Sequence, residues 1–171
     1  FSSCKKLEKI YDDDNNIDVL STLINLETST AMFISCTNLK IHSSFQLPIK
    51  LNNSSAMFMY CTNLDSEDGN SVNLKYIFEK STRLTDARAM FYSCSSMYID
   101  SVKEIFPVNS QLKFIDYMFA LCRNITANID YICSGRITTL TSAKKGNVTL
   151  VGFLRGERCN VYNNQNRVIF D

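Results

Sequence analysis

A chain of 171 residues with 45% apolar content is long and apolar enough for one domain with a real core. Its 18 basic and 17 acidic residues nearly cancel, and pairs such as Lys5-Lys6 and Lys144-Lys145 read as solvated loops. This argues against electrostatic capture of nucleic acid or anionic membrane, which needs a clustered basic face. No run of about 18 apolar residues exists, so no segment is expected to span a bilayer.

In chain order, the first element is a partial motif, Phe1-Ser2-Ser3-Cys4. A start inside a motif and without an initiator Met reads as a segment of a longer protein, or as a processed one. Four complete copies of Met-Phe-x-x-Cys follow, at Met32-Phe33-Cys36, Met57-Phe58-Cys61, Met90-Phe91-Cys94 and Met118-Phe119-Cys122. A leucine precedes each complete copy by six residues (Leu26, Leu51, Leu84, Leu112). A large apolar residue follows each cysteine by three (Leu7, Leu39, Leu64, Met97, Ile125). The cysteine spacings of 32, 25, 33 and 28 residues mark stacked supersecondary units with loops of variable length.

The second copy shows the expected unit. Ile49 and Leu51 alternate with polar residues, the period of a short strand. Asn52-Asn53-Ser54-Ser55 then supply turn and N-cap chemistry, as do Thr28 and Thr30, Asp86 and Asp116 in the other copies. Met57, Phe58 and Cys61 are related by i, i+3 and i, i+4, so about one and a half turns of helix would present all three inward. A second extended arm follows, as Leu39-x-Ile41, Met97-x-Ile99 and Ile125-x-x-x-Ile129. Insertions fall at Tyr11–Leu20, Asp65–Tyr76 and Asp100–Asn109.

The expected fold is therefore an α/β repeat solenoid, a right-handed leucine-rich-repeat-like stack of short strands and short helices. It has about five irregular repeats and a C-terminal cap. Residues 1–130 form the solenoid, with repeats near 1–31, 32–56, 57–89, 90–117 and 118–147. Residues 148–171 form a degenerate last repeat and cap. There Val148-x-Leu150 reads as a strand, Phe153-Leu154 with Cys159-x-Val161 as a sixth copy, and Val168-Ile169-Phe170 as part of a closing hairpin. The structural ladder comprises Phe1, Cys4, Leu26, Met32, Phe33, Cys36, Leu51, Met57, Phe58, Cys61, Leu84, Met90, Phe91, Cys94, Leu112, Met118, Phe119 and Cys122.

Five of the seven cysteines occupy one repeat position, where a free thiol serves as a small buried apolar group. One or two disulfides between neighbouring coils stay open as an alternative, because stacking brings like cysteines to about 5 Å. Cys133 has no place in the ladder. No metal site is expected: there is no C-x-x-C pair, and His42 is the single histidine. The acidic stretches Asp12-Asp13-Asp14 and Asp65-x-Glu67-Asp68 lack the alternation and glycine of a calcium loop.

Met-Phe-x-x-Cys-x-x-Leu behind a Ser/Thr/Asn-rich turn resembles the BspA-type leucine-rich repeats, in particular their short "surface protein" units. The match covers roughly residues 1–130, at Met32, Phe33, Cys36 and Leu39, Met57, Phe58, Cys61 and Leu64, Met90, Phe91, Cys94 and Met97, and Met118, Phe119, Cys122 and Ile125. The period here is less regular than in that family. The resemblance implies a surface-exposed, secreted or lipid-anchored protein active in adhesion and ligand binding, and carries over no catalytic residue.

No enzyme is expected. His42 has no recurring partner, the serine pairs (Ser43-Ser44, Ser54-Ser55, Ser95-Ser96) lie at turns, and Gly152-x-x-x-Gly156 lacks the lysine of a phosphate loop. No cofactor is implied. Two readings remain: a module binding a protein or glycan, and a structural part of a larger assembly such as a virion, filament or surface layer. The first places Tyr60, Tyr92, Tyr98 and Tyr131 together on one exposed side. Location is expected to be extracellular or at the cell surface, alternatively at a virion surface. Sequons stand at Asn52, Asn53, Asn124 and Asn147.

Overall fold

The computed structural model describes residues 1–12, 17–65, 74–102, 111–122, 124–128 and 160–162. In it the repeated motif is a chain of linked turns rather than a helix, which corrects the expectation above. Within each copy an N–H donates to the carbonyl three residues earlier: Met57 to Ser54, Met59 to Ala56, Cys61 to Phe58 and Leu64 to Cys61, all at 2.9–3.2 Å. The intervening N–H groups point sideways. Ser54, Ala56, Phe58 and Tyr60 donate to the carbonyls of Asp86, Arg88, Met90 and Tyr92 in the next repeat, at 2.8–2.9 Å.

The same alternation joins Ser29, Ala31, Phe33 and Ser35 to Asn53, Ser55, Met57 and Met59. It also joins Ala87, Ala89, Phe91 and Ser93 to Phe114, Asp116, Met118 and Ala120. The physical reason is donor satisfaction. A helix of one and a half turns leaves nearly all of its N–H groups without internal partners. Linked turns beside a parallel neighbour use every N–H from Met to Cys in the copies at Met32, Met57 and Met90.

The turns carry a backbone cost. The residue before each Met (Ala31, Ala56, Ala89, Tyr117) has φ between 51° and 57°. The residue before each Cys (Ser3, Ser35, Tyr60, Ser93, Leu121) has φ between 58° and 62°. Each sits third in a four-residue turn, where positive φ belongs to a type II geometry. A non-glycine side chain there is strained by about 1–2 kcal/mol. The strain is held because the N–H of residues such as Ala31, Ser35, Ala56, Tyr60, Ala89 and Ser93 is fixed to the adjacent repeat.

Inside, the ladder residues stack. The rings of Phe1, Phe33, Phe58, Phe91 and Phe119 run in one column with centroids 5.4–5.6 Å apart and planes within 14°. Such offset stacking suits the aromatic quadrupole. Phe45 closes on the edge of Phe58 at 5.8 Å. Leu51, Leu84, Leu112, Met57, Met90, Met118 and the cysteines of the complete copies are buried beside them. Leu26 and Met32 are half-buried. Phe1 and Cys4 continue the column in register but are exposed, Phe1 by 72%. Ser29 and Ser54, both buried, aim their hydroxyls at the sulfurs of Met57 and Met90, at 3.2 and 3.4 Å.

The expected strand before the motif shrinks to a single bridge. Thr28, Asn53, Asp86 and Phe114 pair in parallel, one residue per repeat. Ile49 is exposed, and Leu51 closes a turn onto Pro48. The residues expected as helix caps act locally instead: Asn53 accepts the N–H of Ser55 at 2.9 Å, and Asp86 that of Arg88 at 3.0 Å. Beyond the cysteines, strands β3 (Tyr98–Val102), β4 (Asn124–Asn128) and β5 (Asn160–Tyr162) form a parallel sheet in that order.

The first insertion folds as a hairpin of β1 (Tyr11–Asp12) and β2 (Ile17–Asp18), followed by a 3-10 turn at Val19–Thr22. Asp18 anchors it. Its carboxylate accepts Leu20 N at 2.9 Å and Gln46 N at 3.1 Å, tying the hairpin to the repeat that begins at Met32. Helix α1 (Leu74–Phe78) buries Ile77 and Phe78, and the Ile77 carbonyl accepts Leu47 N at 3.0 Å. The expected strand at Val148, most of the C-terminal cap and Cys133 lie outside the described residues, as do Asp13, Asp14, Glu67 and Asp68.

Candidate interaction surface

Stacking turns each outward repeat position into a column. At the corner of the motif, the two residues between Phe and Cys are half-buried or exposed in the first three complete copies, giving Ile34, Met59 and Tyr92 beside Ser35, Tyr60 and Ser93. In the fourth, Leu121 is exposed and Ala120 is buried. Tyr60 and Tyr92 meet edge to face at 5.5 Å and 82°. Tyr60 is 42% exposed and Leu121 is comparably exposed. Their backbones are fixed by the bond from Tyr60 N to Tyr92 O at 2.8 Å, so the aromatic pair sits on a rigid edge. Of the four tyrosines expected to gather, these two do. Tyr98 opens β3, and Tyr131 lies outside the described residues.

Sequence reasoning missed other residues of the outward columns. Tyr117 occupies the column of Ala31, Ala56 and Ala89, and is exposed. Arg88 stands over the exposed ring of Phe114 at 5.0 Å, while its guanidinium forms a fork with Asp86 at 2.6 and 3.1 Å. That pairing raises the Arg88 pKa, first through the hydrogen bond from the guanidinium and then through charge attraction. The signal was present in the aligned copies: Tyr117 and Leu121 are large residues in columns otherwise held mainly by alanine and serine.

A second outward strip follows the cysteines. The third residue after Cys36, Cys61 and Cys94 points in (Leu39, Leu64, Met97), while the second (Asn38, Asn63, Ser96) is exposed, as is Lys40. Glu8, Asn38, Lys40, Asn63, Asp65 and Ser96 line an open groove of about 480 Å³. Its floor is tied by Lys40 N to Glu8 O and Ser96 N to Thr62 O, and the Asn63 amide donates to Asn38 Oδ1 at 3.3 Å. Charge alternates along it, from Glu8 to Lys40 to Asp65.

The other chemistry-bearing residues are structurally engaged. His42 stacks on Tyr11 at 4.0 Å, and its Nδ1 accepts the Ser44 N–H at 3.2 Å. Burial pushes the Cys61 thiol up to about 12, and raises Cys36 and Cys94 as well, so none is a poised thiolate nucleophile. The described cysteines are free thiols. Among the described residues no group of three or more His, Cys, Asp or Glu is placed to hold a metal ion. No helix among them is long and apolar enough to cross a membrane. No family model, curated protein or solved structure matches the chain.

Proposed function

We propose that this chain is a non-enzymatic repeat module of a surface-exposed protein, built as a leucine-rich-repeat-like solenoid of the BspA type. It binds a protein or glycan through its outward columns, at the cell surface or outside the cell. The observation that carries this reading is the Tyr60–Tyr92 pair, Tyr60 exposed and Tyr92 half-buried, on a corner whose backbone is fixed by inter-repeat hydrogen bonds. Rigid aromatic side chains with polar tips give large contact area at low entropic cost, and they dominate binding hot spots. Tyr117, Leu121 and the Arg88–Phe114 pair extend the same outer surface in the following repeats.

The test is the double variant Tyr60→Ala with Tyr92→Ala, measured for attachment to cells and to glycan and protein arrays. Binding is expected to fall at least about tenfold with only a modest change in melting temperature, because Tyr60 is exposed and Tyr92 is no more than half-buried. Binding by the parent that the variant retains in full would sink the reading. The alternative is a structural component of a virion, filament or surface layer, without a separate ligand. What favours it is the parallel backbone bonding between repeats, which suits edge-to-edge assembly. Incorporation of the protein into a particle, with no ligand found for the monomer, would select it.

A further inference from the structure

Four thiols of the cysteine column share one kind of partner. Cys36 donates to the Phe1 carbonyl at 2.9 Å, Cys61 to Phe33 at 3.0 Å, Cys94 to Phe58 at 3.1 Å and Cys122 to Phe91 at 3.0 Å. Each acceptor belongs to the preceding repeat. Each also takes a cysteine N–H from its own turn: Cys4 to Phe1, Cys36 to Phe33, Cys61 to Phe58 and Cys94 to Phe91, at 3.0–3.2 Å. One carbonyl thus ties its own turn with one lone pair and the next repeat with the other. All four of these thiols are fully buried.

The bridge requires a proton on sulfur. A disulfide has none, so oxidation of a column cysteine removes the donor at the buried centre of a repeat junction and leaves its carbonyl short of a partner. Stacked repeats also bring like cysteines to about the spacing of neighbouring strands, roughly 4.8 Å. That lies inside the range of about 4.4–6.8 Å in which a disulfide closes. The register that forms the thiol–carbonyl bonds therefore also brings together the groups that could form the competing bond.

We propose that the cysteine column is a redox gate on assembly: the repeats stack only while these thiols are reduced, and the finished stack shields them from oxidation. The competing reaction is exchange with a small disulfide such as glutathione disulfide. Two column thiols lose their protons and form one protein S–S bond, while the small disulfide is reduced to two thiols that carry the protons away. In an oxidising compartment the chain must close its stack first. This gate is independent of what the outer columns bind.

The test is refolding of the full chain from denaturant, with reduced glutathione in one arm and glutathione disulfide in the other. Near-ultraviolet dichroism and mass-spectrometric disulfide mapping are the readouts. The folded yield is expected to be at least about tenfold lower in the oxidising arm, with disulfides joining Cys36, Cys61, Cys94 or Cys122. Glutathione disulfide added after folding should leave the dichroism and those four thiols unchanged. The double variant Cys133→Ser with Cys159→Ser should keep the block. Equal yields in the two arms overturn the proposal. So do disulfides confined to Cys133 and Cys159, or column thiols that react as fast in the folded protein as in denaturant.

Discussion

The cysteine at the end of each motif is more than a small apolar filler. Its thiol proton reaches a carbonyl in the preceding repeat, so serine can replace part of its role while alanine cannot. Its ionisation also sets an alkaline limit. An unfolded Cys61 titrates near 9.0, whereas burial moves the folded thiol to about 12. Between these values the unfolded chain holds fewer protons than the folded one, so stability falls as pH rises. The full difference corresponds to about 4 kcal/mol lost by pH 12. Denaturant titrations from pH 8 to 11 on the parent and on Cys61→Ser check this: the variant should lose less stability over that range. Equal slopes would show that other groups carry the alkaline loss. Asp18 shares the direction at lower pH, because burial raises its pKa against the opposing hydrogen bonds from Gln46, Leu20 and Ser21. Its contribution is complete below about 3.8 and is lost as pH rises through the elevated value.

At the scale of the element, the motif is a strained turn made regular by its neighbours. Ala56 holds φ at 53° while its N–H donates to Arg88 O at 2.8 Å. Removing the Cβ strain recovers about 1–2 kcal/mol, and the added freedom of glycine in the unfolded chain costs about 0.5–1. Ala56→Gly is therefore expected to stabilise by about 0.5–1 kcal/mol, a rise in melting temperature of about 1–4 °C by calorimetry. A lower melting temperature would mean that the alanine methyl packs more favourably than the strain it causes. The inward set Met57, Phe58 and Cys61 was legible from spacing alone, since all three are buried. The local conformation was not legible. Spacings of three and four fit a helix and equally a pair of linked turns, and the choice rests on where alternate N–H groups find acceptors. Those acceptors lie 32 residues away in sequence, as for Phe58 and Met90.

For the whole molecule, continuity of the ladders decides stability. Phe58 stacks on Phe33 and Phe91 at 5.6 Å and meets Phe45 in a T-shaped contact, so its removal opens a cavity across three repeats. Phe58→Ala should cost about 3–5 kcal/mol and lower the melting midpoint by about 6–20 °C. A midpoint within a degree or two of the parent would contradict a continuous phenylalanine column. The inward Phe and Cys of the complete copies were legible in the sequence alone, because apolar residues recur there at fixed repeat positions, whereas the exposure of Phe1 and Cys4 and the burial of Phe45 and Phe78 were not. The same recurrence showed that the insertions vary while the motif does not. Only the tertiary structure decided that the motif is turns, that the thiols are donors and that Tyr60 meets Tyr92. It alone set Arg88 over the Phe114 ring and left Tyr117 and Leu121 exposed. Each of these depends on which residue of the next repeat lies opposite. A hydrogen bond between repeats is specified by register across an irregular gap, and no periodicity within one copy of Met-Phe-x-x-Cys contains that register.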